Sequence, residues 1–137
     1  MRRQQSKAVV FLTELLLALM IFALCASVCA GLFAWSHRLS EQSSALSHAV
    51  IVAQSAAEAF KKNPAPEDVA RVMGGAADGG ECVVYYCADW RPSGREDAAF
   101  VLRVRFRQDG ALRHAGIVVA GMDGAEVYRL DAAALQR

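Results

Sequence analysis

Residues 8–35 read AVVFLTELLLALMIFALCASVCAGLFAW. Glu14 is the only charged side chain in this run, and Thr13, Ser27 and Gly31 are its other polar or small interruptions. A helix needs about 20 apolar residues to cross the hydrocarbon core of a bilayer. The run exceeds that, so it can span with some tilt. Arg2, Arg3 and Lys7 stand just before it, whereas only His37 and Arg38 follow closely, with Glu41 behind them. This positive-inside bias places residues 1–7 in the cytoplasm as a basic leader and the bulk of the chain outside the cytoplasmic membrane. Trp35 then falls at the outer headgroup layer. The competing reading is a cleaved secretory signal with Val28-Cys29-Ala30 as its small-residue cut. Against it stand the length of the apolar run and the cost of Glu14 inside it. Leu24 and Val28 are the wrong size to make Cys25 or Cys29 a lipid-attachment site.

Beyond the anchor no proline or glycine occurs between Leu39 and Phe60. Leu39, Leu46, Val50, Ala53, Ala57 and Phe60 recur at helical spacings and make one apolar stripe. Glu41, Gln42, Ser44, Ser47, Gln54 and Glu58 occupy the other face. Lys61 and Lys62 suit a helix C-terminus, and Asn63-Pro64 ends it. Residues 36–63 therefore continue the anchor as an amphipathic helix. At ~1.5 Å per residue the two halves together would reach about 80 Å.

In residues 64–80, Pro66, Glu67 and Asp68 signal the start of a short helix with Val69, Val72 and Met73 on one side. Gly74-Gly75 and Gly79-Gly80 read as loop. Residues 81–137 read as strands and a C-terminal tail. Cys82–Trp90 is rich in valine and tyrosine, and Arg91–Arg95 forms a turn. Phe100, Leu102, Val104 and Phe106 alternate with Val101, Arg103, Arg105 and Arg107, the period of a half-buried strand. Asp109-Gly110 marks a hairpin. Leu112–Ala120 returns, Asp123-Gly124 turns again, and Ala125–Leu130 makes a last short strand. Short turns imply an antiparallel meander. The predicted fold is α+β: a long N-terminal helix, its first half in the membrane, packed on a three- to four-stranded antiparallel sheet. The whole is one modest domain plus an anchor in 137 residues, 55% of them hydrophobic.

A long helix, half in lipid and half on a small antiparallel sheet, resembles type IV pilins and type II secretion pseudopilins. Val10-Phe11-Leu12-Thr13-Glu14-Leu15-Leu16-Leu17-Ala18-Leu19 is similar to their N-terminal signature, most specifically over Phe11–Ala30. The resemblance implies a structural subunit of a pilus or secretion filament, with other pilin-like subunits as partners and a prepilin peptidase cutting between Val9 and Val10. Val9 departs from the glycine that the family carries before the cut, so the leader's removal stays open and a divergent, minor subunit is implied. Glu14 matches the family's glutamate and would pair with the N-terminal amine of a neighbouring subunit. An ionised carboxylate inside a bilayer costs several kcal/mol, so it has a partner or a task. The plainer reading has Glu14, within two turns of Lys7, reaching back to the cytoplasmic interface. Ala23, Ala26, Ser27, Ala30 and Gly31 are small enough to let membrane helices approach closely, though such residues are common in anchors.

The remaining candidates point away from chemistry. Cys25 and Cys29 read as packing residues. Cys82 and Cys87 lie on the outer, oxidising side, but an offset of five separates them by about 16 Å along a regular strand. A disulfide needs Cα atoms within roughly 7 Å, so they join only if Val83–Tyr86 bulges. No Cys-x-x-Cys or histidine pair suggests zinc, His37, His48 and His114 stand isolated, and no nucleophile with an activating base can be named. No enzyme, metal or cofactor is expected. Arg103, Arg105, Arg107 and Arg113 can share a sheet face, either a binding strip for DNA or an acidic partner or a solvated face that resists edge aggregation. A net charge of +1 argues against a general nucleic-acid binder. Tyr85, Tyr86 and Trp90 read as core or subunit contacts. The alternative function is a membrane-anchored extracytoplasmic binding or scaffold module that does not assemble.

Overall fold

The apolar run and the segment after it form one helix, α1 (Arg2–Lys62), in the computed structural model, which describes residues 2–135 and their side chains from Lys7 onward. Arg2 and Arg3 of the basic leader therefore have described backbone only. Five strands follow in a single antiparallel sheet, so the chain is α+β as its pattern predicts. The chain divides into two units, Met1–Gln42 and Ser43–Arg137.

In the first unit α1 is apolar and uncovered. From Lys7 it is long and apolar enough to cross a membrane. Leu15, Phe22, Leu24, Leu32 and Phe33 are all exposed. The hydroxyls in this run are satisfied within the helix: Thr13 Oγ1 donates to Val9 O at 2.8 Å and Ser27 Oγ to Ala23 O at 2.9 Å. Ser47 and Ser55 of the second unit make the same bond, to Ser43 O and Ile51 O at 2.9 Å.

In the second unit the end of α1 lies on the sheet through alanines. Ala49, Ala53, Ala56, Ala57 and Ala59 are buried with Phe60, which has no exposed surface. Ala53, Ala57 and Phe60 of the predicted stripe are in this face, Ala49, Ala56 and Ala59 join them, Val50 is half-buried, and Leu46, like Leu39 in the first unit, is exposed. These alanines share one buried cluster with the apolar face of the sheet. Phe60 then fills the core against Phe106, with ring centroids 5.8 Å apart. Burying it contributes about 1.5–3 kcal/mol. The helix stops where lysines and Asn63-Pro64 predict, and Asn63 N donates to Ala59 O at 3.0 Å.

Helix α2 (Pro66–Met73) starts on Pro66 with Glu67 and Asp68 in its first turn and ends on Gly74, at φ 71°. It buries Val69, Ala70 and Met73, while Val72, expected on that side, is exposed. The sheet runs in chain order: β1 (Ala76–Asp78), β2 (Glu81–Tyr86), β3 (Phe100–Asp109), β4 (Leu112–Gly121) and β5 (Glu126–Leu135). It has one strand more than the largest number expected. The extra strand is β1, read from sequence as loop. Gly79 and Gly80, at φ 57° and 84°, turn it directly onto β2 with Asp78 opposite Glu81. Strand β5 also continues five residues past its predicted end at Leu130. Cys82, Val84, Leu102, Val104, Ala115, Ile117 and Val119 supply the core face.

Candidate functional site

Strand register sorts the four predicted arginines. Arg103 lies opposite Val118, Arg105 opposite Gly116 and Arg107 opposite His114, all on the face away from the core. Across the next ladder Val118 meets Arg129 and Gly116 meets Asp131. Arg103, Arg105 and Arg107 therefore share a face with His114, Arg129 and Asp131, and these side chains line an open concavity of about 680 Å³. Arg113 does not join them. It precedes Ala115, Ile117 and Val119 on the core-side parity of β4, and its Nη1 donates to Pro64 O at 2.7 Å. That guanidinium ties the sheet to the carbonyl just beyond the C-terminus of α1, where positive charge is favoured. Arg129 was not singled out from sequence. No alternation signals it, because only the β4–β5 register brings it to this face.

The partners of these cations differ. Arg129 is held by Glu126, Nη2 to Oε2 at 2.7 Å and Nε to Oε1 at 3.2 Å. That hydrogen bond and charge raise the Arg129 pKa further. Arg105 Nε stands 3.5 Å from Glu81 Oε1, an ion pair too long to satisfy that buried oxygen with a hydrogen bond. Arg103 and Arg107 have no ion pair among the described residues.

Glu14 sits on the apolar part of α1 and shares a surface recess with Lys7, Val10 and Phe11. No hydrogen bond or ion pair engages its carboxylate among the described side chains. Val9 and Val10 are exposed on the same helix.

The cysteines are free. Cys82 is buried and faces the core, where desolvation pushes its thiol pKa up; Cys87 lies past the end of β2, half-buried. No bulge brings the two together, because Cys82 through Tyr86 stay in continuous register with β3. Among the described residues no group of histidine, cysteine and carboxylate side chains is placed to hold a metal.

Tyr86 and Trp90 pack on the core as their composition predicts, in an aromatic stack. Trp90 occupies a left-handed turn at φ 60°, the one non-glycine residue so placed among the described residues. Its ring stacks on Phe100 at 4.2 Å and on His48 of α1 at 5.6 Å, with Tyr86 at 6.2 Å. Trp90 is thus a clasp between the β2–β3 connection and the helix. The turn is closed by Trp90 N to Cys87 O at 2.9 Å and Cys87 N to Arg91 O at 3.0 Å. No protein family, curated protein or solved structure matches the chain.

Proposed function

We propose that the protein is a membrane-anchored structural subunit of the pilin and pseudopilin kind, assembling with other such subunits through its apolar helix. One observation carries this reading: a lone carboxylate, Glu14, without a hydrogen-bond or ion-pair partner among the described side chains, in an apolar helix whose continuation covers an antiparallel sheet. A membrane helix that retains an ionisable group pairs it or uses it. A neighbouring subunit offers the missing cation, its N-terminal amine if the leader is removed before Val10. Small residues at Ala23, Ala26, Ser27, Ala30 and Gly31 would let such helices approach. In this reading the N-terminus is cytoplasmic and the second unit lies outside.

The test reconstitutes the full chain in bilayers and reads association by energy transfer between labelled copies. Wild-type chains associate, and Glu14→Ala and Glu14→Gln lose association by about tenfold or more while inserting equally well. Equal association in all three removes Glu14 from the reading, and no association of the wild type leaves a solitary anchored module. N-terminal sequencing of the mature chain adds a second measurement: a start at Val10 supports the reading, and a start at Met1 supports a simple anchor.

A further inference from the structure

The outer face of β3 and β4 presents a charge pattern that the anchor does not use. Acidic and basic side chains nearly cancel over the second unit, yet three successive outward positions of β3 are all arginine. Alternate residues of a strand lie about 6.7 Å apart, so Arg103, Arg105 and Arg107 form a row of guanidinium groups about 13 Å long. The row lines one open concavity with His114, Arg129 and Asp131. Its two outer members, Arg103 and Arg107, have no ion pair among the described residues, and the contact of Arg105 with Glu81 is long at 3.5 Å. Guanidinium groups bind carboxylates through paired, parallel hydrogen bonds.

We infer that this face binds an extended acidic segment of a partner protein, with carboxylates at alternate positions seated on Arg103, Arg105 and Arg107. An extended peptide repeats its same-side residues at the spacing of the arginine row, which gives the charges a common register. Asp131 and the Glu126-held Arg129 border the row and set its width, favouring a ligand whose charges follow one line. Nucleic acid fits less well. No phenylalanine, tyrosine or tryptophan lines the concavity to stack bases. A second copy of this chain does not supply the segment either, since no two of its carboxylate residues stand two apart in sequence. The inference draws on the second unit alone and stands or falls separately from the role of Glu14.

The experiment uses the full chain in nanodiscs of neutral phosphatidylcholine. The probe is a fluorescent peptide of alternating Glu and Thr, with a Gln-Thr peptide and an oligothymidylate as competitors, and anisotropy is the readout. The Glu-Thr peptide binds the wild type. Arg103→Gln/Arg107→Gln weakens that binding about tenfold or more, and Arg95→Gln, an exposed arginine elsewhere, changes it less than about twofold. Arg103→Lys/Arg107→Lys, which keeps the charge and loses the paired hydrogen bonds, falls between them. Raised salt weakens the wild-type complex. Absence of peptide binding, equal binding by the Gln pair, or tighter binding of the oligothymidylate overturns the inference.

Discussion

Arg103 and Arg113 carry the same side chain on adjacent strands and do opposite things. Arg103 is exposed and has no ion pair among the described residues, whereas Arg113 is half-buried and donates to Pro64 O at 2.7 Å. A hydrogen bond from a charged donor contributes about 1.5–3 kcal/mol where it is partly buried. Arg113→Ala therefore lowers unfolding stability by about 1.5–3 kcal/mol in a denaturant titration, and Arg103→Ala changes it by less than about 0.5 kcal/mol. Equal effects would mean that Arg113 is not the tie between sheet and helix. Cys82 and Tyr86 give a second test at this scale. Burial holds the thiol above its ordinary 9.0 and the phenol above 10.0, the latter also by repulsion from the Cys82 sulfur. Both groups keep their protons in the fold at a pH where the unfolded chain releases them. Stability is thus undiminished below about pH 9 and declines as pH rises beyond it. Cys82→Val makes that decline shallower; an unchanged slope in urea titrations across this window would exclude Cys82 as a cause.

At the scale of elements, the end of α1 is recognised by what it lacks. Its buried face is alanine, with Ala49 and Ala56 wholly covered and Ala53 nearly so, while Leu46 keeps 45% of its surface exposed. Enlarging a residue in such a contact forces the helix off the sheet. Ala56→Leu is expected to cost about 1–3 kcal/mol, and Leu46→Ala, which removes more apolar surface from the sequence, under about 1 kcal/mol. The reverse order in thermal melts would restore the leucine-bearing stripe as the packed face. Strand β5 has its own element-level character. It is ten residues long, carries no proline, and is an edge of the sheet. A register shift between Val119 and Ala120 lies in its ladder to β4. Irregularities of this kind twist an edge away from further pairing.

For the whole molecule, the decisive property is the contrast between units. Residues 8–35 span about 42 Å as a helix at ~1.5 Å per residue, against a hydrocarbon core of about 30 Å. Their apolar side chains are uncovered, while the second unit has an ordinary buried core. The full chain is therefore expected to stay in the membrane pellet through alkaline carbonate extraction. Release into the supernatant would mean that the helix does not cross the bilayer.

The sequence by itself determined the features written in neighbouring residues. The uninterrupted run 8–35 defines a helix suited to lipid, Lys61-Lys62-Asn63-Pro64 its end, Pro66-Glu67-Asp68 the next start, and Phe100–Arg107 a strand with arginine on one face and apolar groups on the other. These signals are local because each follows from composition, capping or a two-residue repeat. Tertiary structure decided the rest. The stripe through Ala53, Ala57 and Phe60 was legible, but only contact with the sheet adds Ala49, Ala56 and Ala59 to it and leaves Leu46 outside. Ala76–Asp78 is too short and plain to announce a strand until Gly79-Gly80 folds it onto β2. Arg113 points inward and Arg129 joins the outer arginines because the direction of a strand side chain is set by register with its neighbours, and register is a property of the assembled sheet.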